Sequence, residues 1–543
     1  MTSLDQPTNL PSHDAEPGFA PVTDEGEHSK EPSIIIDIEH MPVANDPRKW
    51  SSLRKNFVLL QVAVGAMVAG FAGNIQMPAV GEMQEDLHTT SSQISLSLSL
   101  FILFQGGVPL IWSSISEVKG RKMVYLVSLS ISTVGSIVVA TAKSIGLVIA
   151  FRVVQASGSS AVMSIGAATL ADIYDPVERG TKMGIFYMAP LLGPSLGAIF
   201  GGVLTTAFTW RGPFYFLTIM CGLVLLSFVF FKDTFRQERS LTYQNVLNRR
   251  LKERKNLENT ETSESQERDV KPSAATSTTP TLLEEPIGTS EKQGEHSSRD
   301  LEKGESANEI GNILPTVKIS LMDVNPLQPL KLVISKRYNF VMLVASGILF
   351  AFAFMIVYTT SRTLERHYGY NPLKIGLVLL SYGVGSMMGS ILGGRWSDLM
   401  LVRLKTKTGG ESYPEMRLKS TIHGILIFPP CVVGFGWVSQ QHLHIAVLCV
   451  FLFLCGFFSI FVYSSTLAYL VDANVGRSST AIALNSAFRG TFAFVALEVA
   501  VPLQDGLGDG WTYTIVAAFM AFSGFLTILT MFKGKQWRGE EKK

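Results

Sequence analysis

Asn56-Phe-Val-Leu-Leu-Gln61-Val-Ala-Val-Gly-Ala-Met-Val-Ala-Gly-Phe-Ala-Gly-Asn74-Ile-Gln76-Met-Pro-Ala-Val80 carries no charge, and after Asn56 at its start Gln61, Asn74 and Gln76 are its polar side chains. A helix needs about 20 mostly apolar residues to cross a bilayer, and this run meets that length. Reading outward, eleven further runs of the same kind follow. The first six begin near Asn56, Ser92, Lys122, Gly146, Thr181 and Trp210. The second six begin near Tyr338, Pro372, Leu418, Leu443, Ser479 and Trp511.

Composition agrees. Of 543 residues, 47% are hydrophobic and 17% charged, whereas soluble domains carry about a quarter charged residues. A net charge of +2 argues against a strongly basic nucleic-acid binder. Cys221, Cys431, Cys449 and Cys455 all sit in apolar runs, so neither a disulfide framework nor a zinc site is expected. The chain also lacks a Ser/His/Asp grouping, HExxH and GxxxxGK[ST]; an enzyme, a cofactor or metal site and an ATP-driven pump are not expected.

The runs divide the chain into five parts: a polar tail (1–52), a six-helix half (53–232), a hydrophilic central loop (233–336), a second six-helix half (337–533) and a short tail (534–543). Both the first tail and most of the loop have the composition of disordered segments. Residues 241–257 of the loop are basic, which fits either an interfacial helix on anionic lipid or a solvated linker. Nothing at the start has the charged and short apolar regions of a cleaved signal peptide. Six runs on each side of a long polar loop predict an all-α membrane protein built from two pseudo-symmetric bundles. Lys119, Arg121, Lys122, Arg179, Lys182, Arg395, Arg403, Lys405, Lys407, Arg417, Lys419 and Arg477 fall in loops on one side. The excess places both termini in the cytoplasm.

Charges inside spans are costly and are candidates for function. In Arg152-Val-Val-Gln155-Ala-Ser-Gly158, Arg152 and Gln155 share a helix face. Arg152 either snorkels to the boundary or is buried to hold substrate or tune a nearby acid. Span five carries Gly184, Pro190, Gly193, Pro194, Gly197 and Gly201, a small-residue strip with two proline kinks. Span eight has Gly385, Gly389 and Gly393. The two strips are expected to meet near Gly193 and Gly385, with Gly184 nearer Gly389 or Gly393. After span two comes Glu117-Val-Lys-Gly120-Arg121-Lys122, partly echoed after span eight by Gly394-Arg-Trp-Ser-Asp398.

The first turn resembles the signature loop of the major facilitator superfamily, Gly-x-x-x-Asp-x-x-Gly-Arg-Arg/Lys, with Ser113 and Glu117 departing from it. The Arg152 stretch is similar to that family's span-four motif, with Ala156 replacing a Gly. Gly184 through Gly193-Pro194 to Gly197 resembles the span-five motif of its twelve-span drug:proton antiporters, with Ala198 replacing a Gly. Ala171–Gly180 and Tyr469–Ala473 resemble the quinidine-resistance and dityrosine exporters of yeasts. The resemblance implies alternating access, with spans one, four, seven and ten around a central cavity. It also implies a latch of Glu117, Gly120, Arg121, Lys122 and Asp398, in which Glu117 faces the start of span eleven near Ser478 and Arg121 pairs with Asp172.

On that frame the candidate substrate residues are Asn74, Arg152, Gln155, Tyr187, Phe352, Met355, Tyr358, Phe458, Phe461, Tyr463, Asn485 and Phe492. An aromatic wall suits amphipathic or cationic organic compounds such as drugs, polyamines or dityrosine-like metabolites. Arg152, Asp172 and Glu498 are the candidates for proton coupling; by helical angle Glu498 points away from Asn485 and Arg489. The expected protein is a monomeric, proton-coupled exporter in the plasma membrane or a spore-related membrane, in contact with lipid and without a nucleic-acid partner. A non-transporting sensor and an uptake symporter are the alternatives.

Overall fold

The computed structural model describes residues 43, 45–236, 239–240, 243, 246, 249, 327–407, 409, 413–474 and 478–540. The expectations for the first 42 residues and most of the central loop therefore lie outside the described residues, as does the packing of Gly184, Tyr187, Pro190 and Pro194. Ten helices among the described residues are long and apolar enough to cross a membrane. One of them, Ser478–Glu540, is two rods joined at Gly508, whose φ of 74° breaks the helix. Adding Pro176–Phe208, with its apolar stretch Leu196–Phe208, completes twelve.

The first six are α1 (Ser52–Asn74), α2 (Ser91–Lys119), α3 (Arg121–Ala140), α4 (Ile145–Ile173), α5 (Pro176–Phe208) and α6 (Gly212–Val229). The second six are α7 (Arg337–Arg366), α8 (Pro372–Lys407), α9 (Ile422–Gln440), α10 (Ile445–Ala473), α11 (478–507) and α12 (509–540). Local signals explain the boundaries. Thr90 and Gln93 form a reciprocal capping box at the start of α2. Helix α5 starts at Pro176, ahead of Thr181, because a proline after Asp175 begins the helix within its polar first turn. Gly120, at φ 85°, allows the sharp turn from α2 into α3.

Helices α1–α6 pack as one bundle and α7–α12 as another; the bundles meet where α2 lies on α11 and α5 on α8. The face bearing both ends of the described chain is here the terminal face, and its opposite the distal face. A Cβ on Gly106 of α2 would sit 2.5 Å from the Ser486 carbonyl oxygen and 3.0 Å from Gly490 Cα, so the two backbones touch near mid-membrane. Hydrogen bonds between the halves cluster toward the distal face. Ser95 Oγ donates to the Leu497 carbonyl at 2.7 Å, and Tyr358 Oη to the Ser91 carbonyl at 2.7 Å. Arg366 donates to Ser91 Oγ at 3.1 Å, and Ser99 donates to Glu498. The lower piece of α2, Pro109–Lys119, packs on α3 and α4 of its own half. The distal side of the interface is closed.

The glycine strips do not face one another, contrary to expectation. A Cβ on Gly193 would lie 2.7 Å from Gly70 Cα, and one on Gly197 3.5 Å from Phe71 Cα, so the α5 strip packs on α1. Gly385, Gly389 and Gly393 instead receive the backbone of α10 at Phe453, Phe457 and Phe461. Helix α5 reaches α8 through another face: Gly202 abuts Pro372, and Gly376 abuts the Ala198 carbonyl. The physical reason is that Gly385 and Gly193 each lie against the α-helix of their own half that crosses most closely. Small residues mark close contact but do not specify the partner.

Bulk at Gly106 should disturb the contact between halves, whereas the next residue, Gly107, has nothing within 4 Å of an added Cβ. Gly106→Val is expected to lower the thermal unfolding midpoint of the purified protein by several degrees relative to Gly107→Val. Equal midpoints would contradict the packing described.

Candidate functional site

Two charge clusters mark the terminal face, one in each half. In the first, Arg121 at the start of α3 donates to Glu117 at the end of α2 (3.2 Å) and to Asp172 at the end of α4 (3.3 Å). In the second, Arg417, just ahead of α9, donates to Asp398 of α8 (2.8 Å) and to Asp472 at the end of α10. The same three elements supply the same three charges in each bundle, so the clusters are related by the pseudo-symmetry of the fold. The Arg121–Asp172 pairing follows the sequence expectation. Glu117 also accepts from Ser240 Oγ at 2.8 Å through its second oxygen, and its expected approach to the start of α11 near Ser478 lies outside the described side chains. Asp233 accepts from the Arg121 amide at 3.2 Å and crowds Gly120, and Lys122 donates to the Val229 carbonyl at 2.9 Å.

The segment before α1 is tied to the same place. Arg239 grips Asp46 through both terminal nitrogens, at 2.9 and 2.8 Å. Burial opposes the charge on Asp46, but the bonds from Arg239 and Arg48 outweigh it and hold the carboxyl below its ordinary range. A depressed carboxylate favours the folded state above its unfolded pKa, and that contribution fades as the pH falls through the folded value.

Arg152 lies within the first bundle with no exposed surface. Its Nη1 donates to the Ala72 carbonyl (2.9 Å) and to Gln155 Oε1 (2.8 Å), while Gln155 donates to Ser136 Oγ (2.7 Å). Phe101 covers the guanidinium at 4.0 Å and Phe214 at 5.6 Å. Its Nε and Nη2 have no acceptor. The residue is thus enclosed by α1, α2, α4 and α6 and does not snorkel.

The second bundle brings three of the candidates together near mid-membrane. Ser346 of α7 donates to Asn485 Oδ1 at 2.6 Å, and Asn485 donates to Tyr463 Oη at 3.2 Å. Phe492 packs over Gly347, two turns beyond Asn485 on α11. Arg489, absent from the expected set, joins them: Nη1 donates to Tyr463 Oη at 2.8 Å, and Phe350 lies under the guanidinium at 3.7 Å. Its spacing of four from Asn485 was a readable signal.

The remaining candidates are placed elsewhere. Phe352 is buried edge-on against Phe428 of α9, and Met355 is also in the core. Tyr358 spans the distal interface through Ser91. Phe461 packs on Gly393 of α8, and Phe458 makes an edge contact with Phe457. Asn74 is buried in the last turn of α1. Glu498 meets Ser99 on the α2–α11 contact. At the distal corner of the second bundle, Arg362 donates to Gln504 (2.6 Å) and Asp505 (2.9 Å). Asp509 accepts from Thr363, Ser439 and Gln504, each at 2.7 Å.

Burial separates the two terminal clusters. The Arg121 side chain is 6% exposed and Asp172 22%, against 19% for Arg417 and 71% for Asp398. Removing one partner of a buried pair costs about 3–5 kcal/mol, and an exposed pair is worth about 0–1 kcal/mol. Arg121→Gln is therefore expected to destabilise by about 3 kcal/mol, more than Arg417→Gln. Adding Asp172→Asn should recover part of that loss in the unfolding midpoint. A larger loss from Arg417→Gln would contradict this ranking.

Residues 62–497 match the family profile described as Major Facilitator Superfamily. MFS antiporter QDR3 of Candida albicans is 27% identical over 93% of this chain and 81% of its own length. Quinidine resistance protein 3 of Saccharomyces cerevisiae is 26% identical over 93% of this chain and 86% of its own. Citrate exporter 1 of Aspergillus niger is 26% identical over 95% and 92%. Among solved structures, a bacterial homolog of the human lysosomal transporter Spinster superposes with a TM-score of 0.59 at 12% identity, covering 90% of this chain and 99% of that one. That likeness concerns the fold. With the profile spanning most of both bundles, the chain belongs to the Major Facilitator Superfamily and is a multi-pass membrane transporter, not an enzyme.

Proposed function

We propose that this protein exports small amphipathic organic compounds by alternating access, in exchange for protons. The observation that carries the reading is the pairing of a closed distal interface with a polar and aromatic cluster midway along α7, α10 and α11. The printed names of the relatives, which include antiporters, a drug-resistance protein and an exporter, support it. The terminal face is read as cytoplasmic from its excess of Lys and Arg. The membrane is read as the plasma membrane, with the chain working as a monomer and the parts 1–52, 53–232, 233–336, 337–533 and 534–543 as its units.

Proton coupling needs a group that meets each side in turn. Glu498 satisfies that demand best, because it stands on the α2–α11 contact that must part when the halves move. Asp172 is held by Arg121 and Thr234, and Arg152 is enclosed; both act in this reading by holding the first bundle together.

The test uses purified full-length chain in liposomes with an acidic, dye-reported interior. The probes are naphthalenesulfonate, naphthamide and (naphthylmethyl)trimethylammonium, none of which carries protons by itself. At least one probe is expected to enter and drive protons out, with no such movement in protein-free liposomes. Arg152→Ala, which removes a buried cation and its bonds to α1, should abolish the movement while the protein still inserts. Failure of every probe to move protons would favour the sensor reading, and protons entering together with the probe would favour a symporter.

A further inference from the structure

We propose that Arg489 anchors an oxyanion on the transported compound, which makes the central site selective for amphipathic organic anions bearing a carboxylate, sulfate or sulfonate. The inference rests on the export reading above and names the substrate class of that site. Arg489 is half-buried near the middle of α11. One of its five donors is used, on Tyr463 Oη, and its Nε has no acceptor. Phe350 and Tyr463 lie against the guanidinium at 3.7 and 4.9 Å. Such ring contacts favour a cation but do not neutralise it.

Carboxylates on the surrounding helices do not serve. Helix α7 offers Glu365, at its distal end, and α10 offers Asp472, which Arg417 holds at the terminal face. Glu117 of α2 is taken by Arg121 and Ser240. Glu498 lies half a helical turn round on α11 and is engaged by Ser99. Between its ends α12 carries no acid, and α1 carries none at all. Among the described residues Arg489 has no ion-pair partner. A cation in a low-dielectric section without a counter-ion is costly, and a planar guanidinium with open donors fits an oxyanion side-on.

Tyr463 adds a second donor. Its oxygen accepts from both Arg489 and Asn485, so the hydroxyl proton is left to point at an acceptor on the ligand. Phe350 and the stacked pair Phe488 and Phe492 (6.4 Å) supply an apolar wall beside these donors. Arg152, which also lacks an ion-pair partner among the described residues, is sealed behind Phe101 and Phe214 and presents nothing to a ligand. The expectation of cationic substrates gives way here to one of opposite sign, since a cation would meet Arg489 with no carboxylate nearby.

Binding is read by thermal unfolding of the purified full-length chain with the same three naphthyl probes. Naphthalenesulfonate should raise the midpoint and bind at least about tenfold more tightly than naphthamide or the trimethylammonium probe. Arg489→Gln should weaken it about tenfold or more, Arg489→Lys less, and Tyr463→Phe a few-fold, with the amide unaffected. The assignment is overturned by no stabilisation from the sulfonate, by equal or tighter binding of the other probes, or by undiminished sulfonate binding to Arg489→Gln. The liposome assay separates the two readings. Sulfonate bound through Arg489 but not moved would sink the export reading alone. Sulfonate moved equally well by Arg489→Gln would sink the assignment and leave export standing.

Discussion

A charge carried into an apolar section must be paired, covered or used, and that constraint sorts the arginines of this chain. At the terminal face Arg121 and Arg417 each bridge the ends of three helices through two carboxylates. At the distal corner Arg362 is fastened to Gln504 and Asp505, with Asp509 satisfied by three neutral donors beside it. These clusters sit where water can reach part of each group, so the cost of desolvation is partly relieved. They tie the helices of each bundle together at its ends. Among the described residues, Arg152 and Arg489 lie inside spans with rings and neutral groups in place of a counter-ion.

The seam between the bundles is held differently. The seam is narrow where Gly106 meets Gly490, and the absence of side chains there lets α2 and α11 cross closely. Distally it is closed by single hydrogen bonds, neutral ones from Ser95 to Leu497 and Tyr358 to Ser91 beside those that join Arg366 to Ser91 and Ser99 to Glu498, and no ion pair between the halves is seen there among the described residues. An interface of this kind opens at modest cost, unlike the ion clusters inside each half. Asp233 lies on the Arg121 amide and Ser240 on Glu117, which links residues after α6 to the terminal-face ends of α2 and α3.

The helices were legible in the sequence because a bilayer demands length and apolarity from each span, and those are local properties. The Arg121–Asp172 pair was legible through resemblance. Partner choice was not. The glycines of α5 and α8 announced close contacts, yet periodicity cannot say which neighbour fills the groove, and the neighbours proved to be α1 and α10. The Ser240 contact of Glu117 was hidden for a related reason: it comes from after α6, in a stretch whose composition reads as linker. Arg489 stood outside the candidate substrate residues, although it shares a helix face with Asn485. Its four-residue spacing from Asn485 carried the information all the same.

The central claim is that two rigid halves exchange contacts between the distal and terminal faces. Paired spin labels test it directly, one pair at Lys143 and Gln441 for the distal face and another at Lys119 and Arg403 for the terminal face, all exposed positions. The four native cysteines would first be replaced. Distances measured in liposomes across a range of pH are predicted to show a second population, in which the distal pair lengthens while the terminal pair shortens. A single fixed distance at both faces, or lengthening of both together, would contradict the account.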